Sequence, residues 1–379
     1  MMTKKPFHIV RLGSIDVLRG FDLFCLTFFQ PVLMAVSRAA DLPIFRAITP
    51  HFEHVAWEGF AFWDIIMPLF MFMAGASMPF AFAKYSGRDG RRKLYRRILR
   101  RVLLLWILGM ICQGNLLGLD PQKIYLFSNT LQAIAIGYLI SAILLLHLRL
   151  RGQILTSALL LLTYWALLTF VQAGSFGGGN FTPDYNLAEY IDRVVLGRFR
   201  DGVTVTATGL DFGNYRYTWI LSSLNFGVTV MTGVFAGQIM KGNLPKMEKV
   251  QWLVIAGIAM VVAGLLWGLQ MPVIKKIWTS SMTLYSSGIC FLLMALFYYL
   301  VDIRNGGKYL NWLKIYGMNS IAAYMLYSVI NFGSLSRSLF HGTEQYLGEF
   351  YPALITLSNV SFVFLILWIM YRRKVFLKV

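Results

Sequence analysis

Ten apolar runs of roughly twenty residues each dominate this sequence of 379 residues. The runs lie at residues 21–37, 62–83, 98–117, 130–147, 153–172, 220–240, 250–270, 282–301, 312–332 and 350–371. An α-helix of about 20 apolar residues crosses the hydrocarbon core of a bilayer and satisfies its own backbone hydrogen bonds there. The pattern therefore predicts an all-α, polytopic membrane helix bundle of about ten spans, forming a single domain over residues 1–379.

The charges predict how these helices are oriented. Only 14% of the residues are charged and 57% are hydrophobic, which excludes an ordinary soluble domain. When the loops are assigned alternately to two faces, 25 of the 35 Lys and Arg residues fall on the face that holds both termini, with only 5 of the 17 Asp and Glu residues. Basic loops stay in the cytoplasm, so both ends are predicted to be cytoplasmic.

The net charge of +18 is thus interpreted as a topology signal, and no nucleic-acid partner is predicted. A basic run over residues 84–101 also suits anionic lipid or a polyphosphate cofactor. Two long loops, at residues 38–61 and 173–219, are predicted on the outer face. Long loops in compact proteins tend to be functional or disordered.

A polar cluster leads into the second span. Polar residues at membrane depth are costly, which makes each of them a functional candidate. If a helix begins near His54, Glu58 lies on the same face at i+4 and orients the imidazole, while Asp64 lies about 15 Å deeper and on another face. A neutral imidazole beside a carboxylate is a general base or an acyl acceptor near neutral pH. The spacing alone equally allows an interfacial histidine bonded to loop backbone.

A second cluster opens the first span. Asp16, Arg19 and Asp22 are spaced i, i+3, i+6, so a helix presents them as one ladder at the cytoplasmic face. The ladder is either a helix cap with a basic anchor or a docking point for an anionic cofactor, with the guanidinium oriented by two carboxylates.

Several short segments follow one another in an order that is familiar from one protein family. They are Arg11…Ser14-Ile15-Asp16…Arg19-Gly20, residues 54–59, Asp64, Pro68, and residues 131–138, 190–197, 237–239, 316–320 and 371–374. This series resembles the heparan-alpha-glucosaminide N-acetyltransferase family and its bacterial relatives, a part of the transmembrane acyltransferase group. The resemblance implies an enzyme that takes acetyl-CoA as co-substrate from the cytoplasm and acetylates a sugar on the far side, with His54 in the active site.

The resulting hypothesis is a pore through the bundle that admits the acyl-bearing arm of the cofactor. The residues predicted to line it are Asp22, Gln30, Asp64, Gln132, Asn225 and Asn319. The predicted catalytic residues are His54, Glu58, Asp64 and Asn319, the last as a donor to the oxyanion. The predicted cofactor-binding residues are Arg11, Arg19, Asp22, Gln30, Arg97 and Arg101. The predicted acceptor-binding residues are Trp57, Asp192 and Arg193.

The remaining expectations concern partners and location. The expected partners are acetyl-CoA, a carbohydrate acceptor and the lipid bilayer, with no metal, in a bacterial cytoplasmic (inner) membrane. Acetylation of an amine or of a hydroxyl, and assembly as a homodimer, stay open. The alternatives are a transporter or flippase for a glycan or lipid-linked sugar, and a catalytically idle scaffold.

Overall fold

A computed structural model describes residues 12–40, 42–85, 87–213, 217–304 and 306–377. Most of these residues are helical. The main helices are α1 (Gly13–Ala40, with a π-helical segment at Cys25–Phe29), α2 (Pro43–Ile48), α3 (Phe62–Phe82), α4 (Gly87–Cys112), α5 (Thr130–His147), α6 (Leu150–Phe170), α7 (Leu187–Leu196), α8 (Ser223–Lys241), α9 (Lys246–Gly268), α10 (Ser280–Ile303), α11 (Leu313–Met318), α12 (Ser320–Val329), α13 (Gly333–Phe340) and α14 (Tyr351–Arg372).

The other elements are short. Single helical turns lie at Thr49–Phe52, Leu116–Gly118, Pro121–Lys123, Gly197–Phe199, Gly307–Leu310, His341–Thr343, Glu344–Leu347 and Gly348–Phe350. Two antiparallel pairs of strands occupy the second outer loop: β1 (Gln172–Ala173) with β2 (Phe176–Gly177), and β3 (Thr204–Thr206) with β4 (Gly209–Asp211). The strands are too short to form a separate layer, so the bundle alone defines the fold.

The prediction of an all-α polytopic bundle is confirmed. Within the described ranges, eight helical segments are long and apolar enough to cross a membrane: α1, α3, α5, α6, α8, α9, α10 and the segment Gly333–Arg372. Two of the ten predicted runs take another form. The run at 98–117 is the second half of α4, whose first half carries the basic cluster, and the run at 312–332 is broken at Asn319 (φ −120°, ψ 40°) into α11 and α12.

Helices α3 and α8 form the centre of the bundle and approach each other closely. A Cβ atom added at Gly75 would lie 1.9 Å from the carbonyl oxygen of Val230, and one added at Gly233 would lie 1.9 Å from that of Phe72. Only glycine permits this separation, which is how small residues bring membrane helices together. Helices α6 and α9 lie at the periphery, where large apolar side chains such as Leu155 and Leu266 are exposed and suit contact with lipid.

Both ends of the described chain lie on one face of the bundle. Asn319 donates from its Nδ2 to the carbonyl oxygen of Val375, and Leu377 and Arg19 line the same cavity. A shared face for the two termini is what the orientation predicted from the charges requires. The assignment of that face to the cytoplasm stays a prediction.

We expect Gly233→Ala to destabilise the bundle, because the new methyl group meets backbone of α3 that cannot move aside without opening the helix pair. The cost of such overpacking is about 1–3 kcal/mol. Thermal unfolding in detergent measures it, with Gly342→Ala as the matched control, since a Cβ at Gly342 meets nothing within 4 Å. Equal melting temperatures for the two variants would contradict the close helix contact.

Candidate functional site

Two cavities lie end to end inside the bundle. The outer chamber, of about 340 Å³, lies at the end away from the termini and is lined by His54, Lys275, Tyr217, Trp219, Gln113 and neighbouring side chains. The inner chamber, of about 260 Å³, lies at the face of the termini and is lined by Arg19, Arg97, Arg101, Ser77, Leu377 and neighbouring side chains. Phe70, Thr130 and Tyr324 line both chambers. These three residues therefore lie at the boundary between the two chambers.

Asp64 is the anchor of the outer chamber. It lies in the first turn of α3, where its Oδ2 accepts a hydrogen bond from the backbone N–H of Ala61 at 2.9 Å. Its Oδ1 lies 2.8 Å from Nδ1 of His54 and 3.3 Å from Nζ of Lys275. The carboxylate is almost completely buried, with 2% of its side chain exposed. A backbone donor and two side chains thus fix one carboxylate in a single position.

His54 is held by non-helical backbone. Residues 53–61 form no helix before the first turn of α3 at Phe62. Gly59, with φ +117°, takes a left-handed conformation that favours glycine, and its N–H donates to the carbonyl oxygen of Val273. Glu58 forms an isolated bridge with Ile274. This pairing places His54 beside the loop that carries Lys275, whose Nζ lies 3.1 Å from Nδ1 of His54.

The surroundings of His54 indicate which ring nitrogen is reactive. A carboxylate can only accept, so Nδ1 of His54 carries the hydrogen and donates it to Asp64. Lys275 donates to the same carboxylate oxygen. Nε2 then has a free lone pair, and 43% of the histidine side chain is exposed. The arrangement is that of a general base oriented by a carboxylate.

The electrostatics of the outer chamber favour a neutral imidazole. Burial lowers the pKa of His54 below its usual value, the hydrogen bond that His54 donates to Asp64 opposes this shift, and the charge of Lys275 adds to it. Burial also lowers the pKa of Lys275, to about 8, although the charge of Asp64 opposes the shift. Near pH 7 the imidazole is therefore mostly neutral, while the lysine retains most of its charge.

We expect Lys275→Met to raise the pKa of His54, because the substitution removes a cation from beside the ring. Asp64→Asn should lower it, because the substitution removes the anion that stabilises the imidazolium. NMR titration of isotope-labelled histidine measures both shifts, and His54→Gln assigns the resonance. Lys123→Met is the control, since 74% of that side chain is exposed and its partner is Asp120. Shifts of the same sign in the two site variants would contradict the proposed charge arrangement.

Two of the predicted catalytic contacts are wrong. Glu58 does not lie on a helical face with His54, because the chain at residues 53–61 is not helical, and its side chain is exposed. Asp64 is not deeper and on another face, because the turn at Gly59 folds His54 back onto the start of α3. The orienting carboxylate is therefore Asp64 and not Glu58.

The predicted polar pore is also wrong. None of its six residues lines either chamber. Asn319 donates to the carbonyl oxygen of Val375 and accepts from the N–H of Leu377, at 3.1 and 3.0 Å, so its amide is occupied by the C-terminal segment and not directed at His54. Gln30 donates to the carbonyl oxygen of Phe52 at 3.3 Å.

Asp64 orients His54, and the three remaining members of that set are buried away from both chambers. Gln132 accepts from the N–H groups of Ser128 and Asn129 at the start of α5, and Asn225 donates to the carbonyl oxygen of Trp278. Asp22 is completely buried, and neither of its carboxylate oxygens has a hydrogen-bond partner among the described residues. Asp22 lies on α1 and lines neither chamber, so its predicted role in cofactor binding has no support from its position.

The structure does bring three of the predicted cofactor-binding arginines together. Arg19 lies 3.8 Å from Asp16 and donates to Oγ of Ser77 at 2.8 Å, so the half of the predicted ladder formed by Asp16 and Arg19 is present. Arg97 and Arg101, one turn apart on α4, line the same inner chamber as Arg19. Arg11 lies outside the described residues.

The predicted acceptor-binding residues fasten the outer loop instead of lining the outer chamber. Trp57 donates from Nε1 to the carbonyl oxygen of Phe181 at 2.9 Å, and Arg193 donates to Glu189 at 2.7 Å. Asp192 accepts from the N–H groups of Trp219 and Ile220, at 2.7 and 2.9 Å. Its effect on the chamber is indirect, because it fixes the backbone of a lining residue, Trp219.

Lys275, Tyr217 and Trp219 line the outer chamber but are not among the predicted site residues. The sequence does contain a signal for the lysine, because Lys275 and Lys276 form a basic pair in a predicted outer loop, against the positive-inside rule. Among the described residues, no group of three His, Cys, Asp or Glu side chains is placed to hold a metal ion.

The fold and the site define a polytopic helical membrane protein with a His–Asp–Lys centre above an arginine-lined chamber. Residues 11–183 match the sequence model of the family described as heparan-alpha-glucosaminide N-acetyltransferase, catalytic. The chain is 25% identical to the human heparan-alpha-glucosaminide N-acetyltransferase over 424 aligned residues, which cover 97% of the chain and 60% of the human protein.

The mouse protein of the same name is 24% identical over 380 residues, which cover 87% of the chain and 56% of the mouse protein. The chain thus spans about three fifths of the length of these relatives. These matches confirm the resemblance, found in the sequence, to the heparan-alpha-glucosaminide N-acetyltransferase family.

Proposed function

We propose that this protein is an acetyltransferase that moves an acetyl group from cytoplasmic acetyl-CoA to a sugar amine or hydroxyl on the other side of a bacterial inner membrane. The observation that carries the proposal is the contact between Asp64 and His54 in a chamber that adjoins an arginine-lined one. The similarity of residues 11–183 to the model of an acetyltransferase family supports the same reaction class.

The inner chamber suits the nucleotide end of acetyl-CoA. Arg19, Arg97 and Arg101 present guanidinium groups, which match phosphate geometry and stay charged at every physiological pH. The acyl-bearing arm of the cofactor is thin and flexible and has few charges. Passage past Phe70, Thr130 and Tyr324 would bring its thioester into the outer chamber while the phosphates stay with the arginines.

The outer chamber suits the transfer step. As the acceptor attacks the thioester carbonyl, a bond forms between the acceptor nitrogen or oxygen and the acyl carbon, and the carbon–sulfur bond then breaks. Nε2 of His54 takes the proton of the acceptor, Asp64 stabilises the resulting imidazolium, and the imidazolium then passes this proton to the departing thiolate, which leaves His54 neutral again. Burial raises the pKa of Tyr217 to about 12, so this lining hydroxyl stays protonated, and we assign it as a donor to the developing oxyanion. Transient transfer of the acetyl group to His54 is the alternative order of steps.

We expect His54→Ala to reduce acetyl transfer by about 10²–10⁴-fold, because a placed general base contributes a factor of that size. Transfer of label from radioactive acetyl-CoA to an amino sugar in purified membranes measures the rate. His51→Ala is the matched control, a histidine three residues away that lines neither chamber. Full activity of a folded His54→Ala protein would remove the imidazole from the mechanism.

We expect CoA to raise the melting temperature of the wild-type protein, since a ligand that binds the native state stabilises it. Arg97→Ala and Arg101→Ala should each weaken CoA binding by about tenfold or more, because each removes a charged hydrogen-bond donor. Arg92→Ala is the control, an exposed arginine of α4 that does not line the inner chamber.

The same measurement separates the proposal from a transporter or flippase for a glycan, which would carry its substrate without consuming CoA. A melting temperature that CoA leaves unchanged, at concentrations that saturate related enzymes, would favour that alternative.

A further inference from the structure

A third cavity opens on the side of the bundle, between the end of α4 and helices α12 and α14. We call it the lateral groove, and its polar residues are Gln113, Tyr324, Tyr327, Ser328, Asn331 and Asn359. Its volume is about 500 Å³. Most of its lining is thus made of amide and hydroxyl side chains, which are the groups that proteins use to bind sugar hydroxyls and amines.

The lateral groove lies at a depth where polar side chains are expensive. Asn359 is eight residues along α14 from its outer end at Tyr351, which corresponds to about 12 Å of helix. Val329 ends α12, nine residues from Ser320 near the face of the termini. A groove at this level adjoins the hydrocarbon region of the bilayer. Polar residues are costly there and usually mark a functional site.

The helix is interrupted at the same place. Residues 330–332 lie between α12 and α13 and are not helical. Asn359 accepts a hydrogen bond from the N–H of Phe332 at 3.1 Å, and Asn331 accepts one from the N–H of Gly333 at 2.8 Å. Non-helical backbone at bilayer depth is tolerated only where it is buried in protein or lines a polar cavity. The interruption, with its dedicated asparagines, thus maintains a polar opening in the wall of the bundle.

The lateral groove adjoins the outer chamber. Gln113 and Tyr324 line both cavities, so a group bound in the groove lies beside the chamber that contains His54. The apolar residues of the groove include Val329 and Ile330, which are exposed, with 39% and 45% of their surface accessible. The polar floor and apolar rim together match an amphiphile and not a fully hydrated sugar.

We infer that the acceptor is membrane-anchored: an amino sugar or other sugar headgroup on a lipid chain, whose head enters the outer chamber sideways through the lateral groove while the chain stays in the bilayer. This inference rests on the proposed acetyl transfer and specifies its substrate class. A water-soluble sugar would need neither an opening at this depth nor an apolar rim.

The test compares two acceptors in protein-containing nanodiscs, the dodecyl and the methyl glycosides of glucosamine, with labelled acetyl-CoA. Val329→Trp and Ile330→Trp each place a bulky ring at the rim of the lateral groove. We expect each to raise KM for the dodecyl glycoside at least tenfold, while kcat for the methyl glycoside stays within twofold of wild type. Leu159→Trp, on the exposed face of α6, is the matched control and should leave both acceptors unaffected.

The outcomes separate this inference from the proposed function. Transfer that depends on His54 but is unaffected by both rim substitutions, or affected equally for the two glycosides, overturns the lipid-anchored acceptor and leaves acetyl transfer standing. Cross-linking of two copies through Ile330→Cys would show that a second chain covers the groove, which also overturns it. Absence of His54-dependent transfer to either glycoside would overturn both the inference and the acetyl transfer on which it rests. Melting temperatures show whether the rim variants are folded.

Discussion

The outer half of the bundle depends on one buried carboxylate. Asp64 lies at the start of α3, accepts from the N–H of Ala61, and holds both His54 and Lys275 at hydrogen-bond distance. A buried carboxylate is tolerated only when it is paired and hydrogen-bonded, and the loss of one partner leaves an uncompensated charge. The same contacts that satisfy this charge also choose the tautomer of His54 and fix the loop of His54 against the loop between α9 and α10 that carries Lys275. Structure and chemistry at this position are therefore coupled.

The arrangement of cavities separates two polar environments within an apolar bundle. The inner chamber gathers arginines near the face that carries the termini, and the outer chamber gathers His54, Lys275 and Tyr217 near the opposite face. Among the described residues, Phe70, Thr130 and Tyr324 line both chambers. A short polar passage costs less to maintain in a membrane than a continuous one, and it limits leakage of ions between the two sides.

The sequence predicted the features that follow from composition and period, and missed those that depend on irregular backbone. The apolar runs predicted the helices, and the basic cluster of α4 identified Arg97 and Arg101, because these signals are local. The contact between His54 and Asp64 was not predicted, because it requires the left-handed turn at Gly59 and the sequence was interpreted as a helix there. The contact of Lys275 with His54 was not predicted, because the two residues are more than two hundred positions apart in the sequence and such a contact has no local signature.

The C-terminal segment has a consequence for how the protein can be handled and regulated. Asn319 binds the backbone of Val375 and Leu377, and the side chain of Leu377 forms part of the wall of the arginine-lined cavity. The C-terminal segment is thus part of the wall of the inner chamber and not a free appendage. A fused purification tag, a protease or a binding protein that displaces this segment would open the inner chamber. It would also leave the buried amide of Asn319 without its hydrogen-bond partners, far from His54.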